Sequence, residues 1–473
     1  MKSKLKLAAL LVSPLLIHAC ALAPKAQLDE PKVPAVSELE KNLTNTQFLI
    51  EKNWWVSLGD PNLNTLMDKA LKASPSLSSA DARMQAAKAL FEANRAVLIP
   101  QIGVGGQISR QQLSQNYIFL PGMPTTTTYG LAAGSLQWSL DLWGKQKKLM
   151  YSAGQKMQAS QASYEAAKLM LASTIANVYI DYDRAAKSLS LAQLDTLARK
   201  DLLSIGLQRK NSGIIDEVGL EQYRIDLNSA KTREDQANLA FKQLQHQLAV
   251  LAGEGPSWGE HLPVPNLSPI KITESFPDKV PADLLARRAD LQALLSNVQA
   301  NRLEVDAAKL DYLPNIDLQA NFGYQSYGFD NLLNQTSQMF SIGPVINLPI
   351  FDGGRIDANV NAKQAARNQS ISEYHEALLQ SLRQAADGID GFKVAQKEVT
   401  HLTESTQSMQ NIFNTQRARL SAGIVSQEQI DLLQTNLVRQ QQALVDSQGR
   451  LFAAHVSLVQ ALGGGYSVKK SNN

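Results

Sequence analysis

The stretch LPIFDGGRID, residues 348–357, has the residue types of a phosphate-binding loop. An apolar run is followed by Asp352, Gly353, Gly354 and Arg355, and then by a helix-like sequence. Phosphate sites are often built from a strand, a glycine-rich turn and a helix N-terminus, because backbone amides there point at the anion. The same glycines would also suit a corner between a strand and a helix, since glycine adopts backbone angles that other residues avoid.

Other residues that could do chemistry are sparse and scattered. The six histidines show no HExxH pattern and no clustering that would suit a metal ion. The stretch GVGGQIS does not match the GxGxxG nucleotide fingerprint, and the sequence contains no GxxxxGK[ST] motif. With a single cysteine, Cys20, no internal disulfide can form. This inventory predicts a protein that is not an enzyme and that needs neither a cofactor nor a metal.

Cys20 stands where a secretory signal peptide would be cut. Three lysines, a short apolar run and a small residue precede it, which predicts a signal peptide over residues 1–19. A cysteine directly after the cut resembles a bacterial lipobox, in which that cysteine is lipidated. His18 departs from the usual small residue, and the alternative is an ordinary signal peptide with an incidental cysteine. Because Ala21 rather than an aspartate follows, the lipobox resemblance implies the outer membrane of a Gram-negative bacterium.

The overall composition narrows the class further. A net charge of +3 over 473 residues is weak for a nucleic-acid-binding protein, so we expect no nucleic-acid partner. Charged residues make up 19% and aromatic residues 6% of the chain, which suits long helices with small-residue contacts better than a large aromatic core. After the signal, no apolar run reaches the length of a transmembrane helix. A membrane-spanning part would therefore have to consist of β-strands.

The chain contains two copies of one unit. A shift of 210 places brings three pairs of glycines into register without a gap: Gly144 with Gly354, Gly213 with Gly423, and Gly253 with Gly463. Prolines separate the two copies and interrupt helical periodicity. We predict six segments: the signal peptide (1–19), an N-terminal lipid-anchored segment and belt (20–60), repeat 1 (61–253), a proline-rich equatorial linker (254–281), repeat 2 (282–463) and a tail (464–473).

Each copy begins with a helix and continues with two strands. Residues 315–325 alternate apolar and polar side chains strictly, and this period of two has about the length of a tilted membrane strand. The predicted strands cover about 101–117 and 129–143 in repeat 1, and about 315–329 and 339–351 in repeat 2. A half-buried sheet in a soluble domain is the alternative. In lipid, open sheet edges are not tolerated and single-chain barrels begin at about eight strands. Four strands would therefore have to be completed by other subunits.

A long helical hairpin follows the strands of each copy. Residues 144–210 and 354–420 contain no proline, which predicts helices of roughly 100 Å. Gly213 and Gly423 mark the end of these helices, as glycine commonly does. The returning helix of repeat 2 has apolar residues at a spacing of seven, which is typical of a left-handed coiled coil: Ile430, Leu437, Leu444, Leu451 and Leu458. Ser426 with Gln429 predicts a capping box, and Asp216 is the parallel N-cap.

The chain resembles the outer-membrane factor family, the TolC-like efflux channels, and in particular the lipidated NodT/OprM-type branch. The most specific stretches are NWWVSLGDPNLNTLMDKALKASPSL (53–77), LDLWGK (140–145), LPIFDGGR (348–355) and the two glycine-centred tips. The resemblance implies a mainly α fold with membrane β-structure. It implies a homotrimer in which twelve strands form an outer-membrane β-barrel, continuous with a periplasmic α-helical barrel.

The resemblance also implies partners and a role. The tips would dock with a periplasmic adaptor (membrane fusion) protein, which is bound to an inner-membrane pump of the RND or MFS type. The protein would then be a passive exit duct for drugs or other small molecules, in contact with outer-membrane lipid. Export of a protein or peptide through the same kind of duct, as in type I secretion, is the alternative. A structural periplasmic coiled-coil lipoprotein would explain the heptads but not the paired strands.

By this resemblance, the adaptor-docking tips are centred on Gly213 and Gly423. The returning helices narrow the periplasmic mouth in that family, often with rings of acidic residues. Gln429 stands close to a position where the family commonly has an aspartate. The candidate gate residues are Asp216, Glu217, Glu221, Glu428, Gln429 and Asp431. The alternative for any one of these acids is that it caps a helix or faces solvent.

The repeat also decides how the opening glycines are interpreted. Gly354 aligns with Gly144, which has no glycine neighbour and no phosphate-loop sequence around it. The same position in two copies indicates a β-to-α corner, so we predict that Gly144, Gly353 and Gly354 mark the joints between strands and long helices. We expect Asp352 to cap the second long helix and Arg355 to face the membrane interface or a neighbouring subunit.

Overall fold

The computed structural model describes residues 51–112, 114, 126–267 and 288–466. The predicted signal peptide, the predicted lipidation site Cys20, most of the predicted N-terminal segment, half of the predicted linker and most of the predicted tail lie outside these residues. The described chain divides into two compact units. The first comprises 83–161 and 293–375, and the second comprises 51–82, 162–267, 288–292 and 376–466.

The helices account for most of the described chain and follow the same order in both halves. In the first half these are α1 (Pro61–Ala73), α2 (Pro75–Ala96), α3 (Lys145–Asn211) and α4 (Glu217–Leu251). In the second half they are α5 (Ala289–Lys309), α6 (Arg355–Ser421) and α7 (Gln427–Ala461). A 3-10 turn at Trp54–Leu58 and a one-turn helix at Pro256–Gly259 complete the helical elements of the second unit. Helices α3 and α6 have 67 residues each, and α4 and α7 have 35 each, so the two predicted hairpins have equal arms.

The first unit contains a four-stranded antiparallel sheet with the order β1-β2-β3-β4. The strands are β1 (Gln101–Gln112), β2 (Thr126–Ser139), β3 (Asn315–Tyr327) and β4 (Gln338–Asn347). Strands β2 and β3 come from different halves of the chain but pair with each other; Trp138, for example, lies opposite Leu318. The sheet is thus one continuous surface built from both repeats.

The pairing register places apolar residues on one face of the sheet. Directly opposite residues share a face. Two rows across the four strands are Ile102, Leu136, Ala320 and Ile342, and Val104, Gly134, Phe322 and Phe340. Two rows of the other face are Gln101, Gln137, Gln319 and Gly343, and Gly103, Ser135, Asn321 and Ser341. Val104 and Phe340 are 91% and 69% exposed, so the described chain leaves this apolar face open.

The return strands end earlier than the sequence predicted. Strand β2 stops at Ser139 rather than near residue 143, because Asp141 has a left-handed backbone (φ 42°) that breaks the pleat. Strand β4 stops at Asn347 rather than near residue 351, and Pro349 beyond it has no N–H to donate to a ladder. Strand β3 ends at Tyr327, where Gly328 turns with φ 110°. The corners between strands and long helices are therefore longer than predicted.

The largest hydrophobic core lies in the second unit. Trp54, Leu63 and Met67 pack there against Ile175 and Val456 of the long helices. Buried Asp60 fastens this region: its carboxylate accepts hydrogen bonds from the Asn62 amide (2.9 Å), the Tyr179 hydroxyl (2.7 Å) and the Asn266 amide (2.9 Å). One carboxylate thus caps α1 and holds the segment after Pro256–Gly259 on α3.

Among the described residues, the helices lack an apolar stretch of the length that a bilayer crossing requires.

Candidate functional site at the helical turns

Each long helix ends in the same glycine turn. Gly213 and Gly423 have φ of +71° and +72°, a conformation that residues with a Cβ adopt only at a cost. The Gly213 amide donates to the Lys210 carbonyl (2.9 Å) and the Ile214 amide to the Arg209 carbonyl (2.9 Å). Gly423 and Ile424 repeat both bonds on the second hairpin. These are Schellman motifs, which satisfy the last carbonyls of a helix and reverse the chain.

The returning helices begin with side-chain caps, as predicted. Asp216 Oδ1 accepts the amide of Gly219 at 2.9 Å. Ser426 Oγ accepts the amide of Gln429 at 3.3 Å, and Gln429 Oε1 accepts the amide of Ser426 at 3.2 Å. Two of the candidate gate residues, Asp216 and Gln429, therefore act as helix caps in this structure. Their side chains are exposed, but one hydrogen-bonding atom of each is already occupied.

Glu428 joins the two hairpins. Its Oε2 lies 2.6 Å from Nη1 of Arg209 on α3, and its Oε1 accepts a 2.5 Å hydrogen bond from the Tyr223 hydroxyl on α4. The side chain of Glu428 is 19% exposed, so the ion pair is partly shielded from water. The hydrogen bond to Glu428, and then burial, raises the pKa of Tyr223 above its ordinary value. We call Arg209, Tyr223 and Glu428 the Glu428 junction.

A glycine makes room for this junction. The ring of Tyr223 packs so close to Gly206 that a Cβ added there would lie 2.7 Å from Cδ2. Real side chains do not tolerate that distance without movement. Gly206 on α3 therefore fixes where the Tyr223 ring lies, and through the ring where its hydroxyl meets Glu428.

Asp431 is the most buried of the candidate gate residues, with 5% exposure. Its Oδ1 accepts a 2.8 Å hydrogen bond from Nε2 of Gln427, whereas Oδ2 has no partner among the described residues. Burial raises the pKa of this carboxyl, the Gln427 hydrogen bond opposes the rise, and the charge of Asp201 adds to it. An orphaned carboxylate oxygen in a buried position is costly when charged.

The two remaining acids, Glu217 and Glu221, lie on the first turns of α4 and make only local pairs. Glu217 binds Lys210, and this hydrogen bond lowers the pKa of Glu217. Glu221 pairs at 2.9 Å with Arg224, three residues further along the same helix. Among the six candidates, Glu428 is therefore the one whose side chain forms a hydrogen bond and an ion pair with the other hairpin in the described structure.

The β-to-α corners lie in the first unit and contain the predicted glycines. Gly144, Gly353 and Gly354 have φ of +77°, +68° and +85°. Asp352 caps α6 as expected, accepting the amides of Gly354 (3.0 Å) and Ile356 (2.8 Å). In repeat 1 the same task falls to Asp141, which accepts the amides of Gln146 (2.8 Å) and Lys147 (3.0 Å). Carboxylates thus occupy the helix amides that a phosphate loop would offer.

Arg209 and Tyr223 were not among the predicted site residues. Arg209 aligns with Arg419 in the repeat, but the alignment does not indicate which residue Arg209 contacts. Tyr223 carries no local signal, because its partner lies 205 residues away. Within the described part of the chain, no group of histidine, cysteine, aspartate and glutamate side chains has the arrangement of a metal site.

Known proteins are similar to this chain in sequence and architecture. The sequence model of the family described as outer membrane efflux protein matches residues 66–254 and 280–464. The putative multidrug resistance outer membrane protein MdtQ of Escherichia coli (strain K12) is 27% identical over 427 residues, covering 87% of this chain and 88% of MdtQ. The multidrug resistance outer membrane protein MdtP of Escherichia coli O6:H1 is 27% identical over 488 residues, covering 98% of this chain and 97% of MdtP.

The crystal structure of the outer membrane protein VceC from Vibrio cholerae has the same fold. It superposes with a TM-score of 0.79 at 26% identity, covering 88% of this chain and 100% of VceC. The family match extends over well more than half of the sequence and includes both hairpins and all four strands. The chain belongs to the outer membrane efflux protein family, whose members are channel proteins of the outer membrane and not enzymes.

Proposed function

We propose that this protein is the outer-membrane exit duct of a tripartite efflux pump, assembled as a homotrimer. Its partners would be a periplasmic adaptor and an inner-membrane pump of the RND or MFS type. The names of MdtQ and MdtP, multidrug resistance outer membrane proteins, support small toxic compounds as the cargo. No feature of the described chain favours the export of proteins or peptides, and the names of these relatives favour efflux.

The four-stranded sheet is the main observation that supports this proposal. Its apolar face suits lipid and its polar face, rich in Gln, Ser and Asn, suits water. Strands β1 and β4 are each paired on one side only within the described chain. Lipid does not tolerate open edges. Joining β4 of one copy to β1 of the next would remove these edges, and three copies of four strands would give a twelve-stranded barrel, an even number as such barrels require.

The hairpin turns supply the docking surface in this proposal. Ile214 and Ile424 are 67% and 70% exposed at equivalent places in the two turns, and Val218 is 76% exposed beside them. Exposed apolar side chains at a rigid turn are suited to a partner protein. The adaptor would therefore contact two chemically similar tips per chain, centred on Gly213 and Gly423.

Channel formation is the decisive test. The purified mature protein should need detergent, run as a heat-labile trimer on gels and conduct ions in a planar lipid bilayer. A protein that is soluble and monomeric without detergent would contradict the proposal.

Adaptor docking has its own test. In cells that carry the matching adaptor and pump, Ile214→Ser with Ile424→Ser should reduce adaptor cross-linking and drug resistance while leaving bilayer conductance unchanged. Val264→Ser, at a residue 68% exposed outside the turns, is the control and should change neither property. Equal cross-linking in the double variant and the wild type would remove the turns as the docking surface.

A further inference from the structure

We infer that a cavity at the β-to-α corners binds the phosphate of a glycerophospholipid headgroup. This inference rests on the proposed membrane position of the sheet. The cavity has a volume of about 300 Å³ and lies within the first unit, where β2 leads into α3, α5 leads into β3, and β4 leads into α6. Its volume is at the lower limit of small-molecule sites, which suits a headgroup.

The cavity wall contains a cation that has no partner among the described residues. Arg355, the first residue of α6, lines the cavity. Its guanidinium forms no hydrogen bond or ion pair with the described residues, although its charge acts on nearby Asp352. Guanidinium groups bind phosphate oxygens in a bidentate manner. Lys145 contributes a second cation, which is held in an ion pair with Asp311.

The carboxylates near Arg355 are already engaged. Asp352 accepts the amides of Gly354 and Ile356, and Asp141 accepts the amides of Gln146 and Lys147. Asp311 is paired with Lys145. An anion that enters the cavity would thus find a free guanidinium, while each acid has its own hydrogen-bond donors. Of the four charged side chains that line the cavity, Arg355 is thus the one without a partner among the described residues.

The surroundings of the cavity suit the rest of a phospholipid. Trp143 lines the cavity, donates a 2.7 Å hydrogen bond from its indole nitrogen to the Pro314 carbonyl, and remains 46% exposed. Tryptophan fixed in this way is typical of the boundary between lipid and water. Next to it in sequence, Leu142 is 60% exposed. Ile350 and Phe351, five and four residues before Arg355 in the sequence, are 90% and 93% exposed. Acyl chains would cover these side chains, which free phosphate could not do.

The cavity lies at one end of the strands. Ser139, Asn315, Ile316 and Asn347 lie at the helix-side ends of β2, β3 and β4, and all four line the cavity. If the sheet spans the outer membrane, this end lies at the periplasmic leaflet, which consists of phospholipid. A headgroup bound there would tie the corner of each repeat to the lipid surface.

Lipid titration of the full-length protein in detergent tests the site. Native mass spectrometry would count bound dioleoylphosphatidylglycerol, with dioleoylglycerol and inorganic phosphate as separate probes. We expect Arg355→Ala to weaken phosphatidylglycerol binding about tenfold, because one charge-assisted contact is lost. Arg355→Gln, which keeps most of the side chain, should do the same. Arg110→Ala, at an exposed arginine near the far end of β1, is the matched control and should bind as the wild type does.

The probes separate the possible outcomes. Equal binding of dioleoylglycerol would show contact with acyl chains alone and would overturn the headgroup site. Binding of inorganic phosphate with the affinity of the lipid would show a site for free phosphate and would overturn the lipid as occupant. Unchanged lipid binding in both Arg355 variants, or equal loss in Arg110→Ala, would also overturn it. Bilayer conductance of the same samples reports separately on the channel, because the Arg355 variants should conduct like the wild type.

Discussion

The Tyr223 hydroxyl donates a 2.5 Å hydrogen bond to Oε1 of Glu428, so a side chain of the first hairpin holds the beginning of the second returning helix. The other oxygen of Glu428 lies 2.6 Å from Arg209. In the 210-residue repeat, Glu428 aligns with Val218, and Tyr223 aligns with Leu433. Valine and leucine cannot form this hydrogen bond, so no second contact of the same kind exists between the aligned positions. In the Glu428 junction, repeat 2 supplies the carboxylate and repeat 1 supplies Arg209 and Tyr223. The reverse arrangement cannot form.

Removing the carboxylate should loosen the turns. We expect Glu428→Ala to remove about 1–2 kcal/mol of contact energy per chain, enough to shift a closed-to-open equilibrium roughly 5- to 30-fold. The predicted result is a higher conductance in planar bilayers. Glu221→Ala is the control, because Glu221 pairs only within its own helix, and it should conduct like the wild type. Unchanged conductance in Glu428→Ala would exclude the junction from the gate.

A methyl group at Gly206 should also disturb the Glu428 junction, because it would meet the Tyr223 ring. Alanine normally stabilises a helix by about 0.5–1 kcal/mol relative to glycine. At Gly206 the new Cβ would meet the Tyr223 ring at 2.7 Å, so Gly206→Ala should instead destabilise by roughly 1 kcal/mol or more and displace the ring. Gly391→Ala on α6, where no atom lies within 4 Å of the added Cβ, should show the normal gain.

The temperature at which the oligomer dissociates on gels would measure both glycine variants. We expect Gly206→Ala to lower this temperature and Gly391→Ala to leave it unchanged or raise it. Conductance of Gly206→Ala should also increase, because a displaced Tyr223 no longer reaches Glu428. Similar dissociation temperatures for the two variants would mean that the ring can move without loss.

The hairpins could be predicted from the sequence because their signals are local. Gly213, Gly423, Asp216 and the pair Ser426–Gln429 each act within a few residues of their own position. Alternation likewise predicted the strands, but it could not show where β2 stops, since Leu140 and Asp141 continue the apolar-polar pattern. Asp141 has a left-handed backbone and its carboxylate caps α3, and the alternation of side chains shows neither feature.

The Glu428 junction could not be predicted in this way. Arg209 and Tyr223 lie on the first hairpin and Glu428 on the second, so they meet only after helices from both repeats have packed. The internal repeat does not help, because it identifies residues that both copies share, whereas Tyr223 and Glu428 each occur in one copy. A contact that depends on the differences between the copies requires the tertiary structure.

Tyr179 should contribute to stability through Asp60. Tyr179→Phe removes the hydroxyl that donates to buried Asp60 and leaves the ring, so we expect a loss of about 1–2 kcal/mol in the free energy of unfolding. Tyr151→Phe is the control, since Tyr151 is 56% exposed. Protease resistance of the segment 51–73 would measure the effect, because Asp60 lies within it. Equal resistance in both variants would mean that Asp60 is held by its two backbone donors alone.

Asp431 should make the second turn more stable in mild acid. A raised pKa means that the folded protein holds a proton at pH values where the unfolded chain has released it. The stabilising contribution is therefore complete below the ordinary carboxyl pKa of 3.8 and is lost as the pH rises through the folded-state pKa. Asp431→Asn, which is neutral throughout, should be more stable than the wild type at pH 7 and should approach it near pH 4.

Hydrogen exchange of the residues 423–437, corrected for the intrinsic effect of pH on exchange, would measure this difference. Glu217→Gln is a control of opposite sign, because Lys210 lowers the pKa of Glu217 and its stabilising contribution is lost as the pH falls. That variant should exchange faster than the wild type at pH 7 around residues 213–226, with the difference shrinking in acid. If Asp431→Asn exchanged faster than the wild type at pH 7, the charged form of Asp431 would be the one that the fold stabilises.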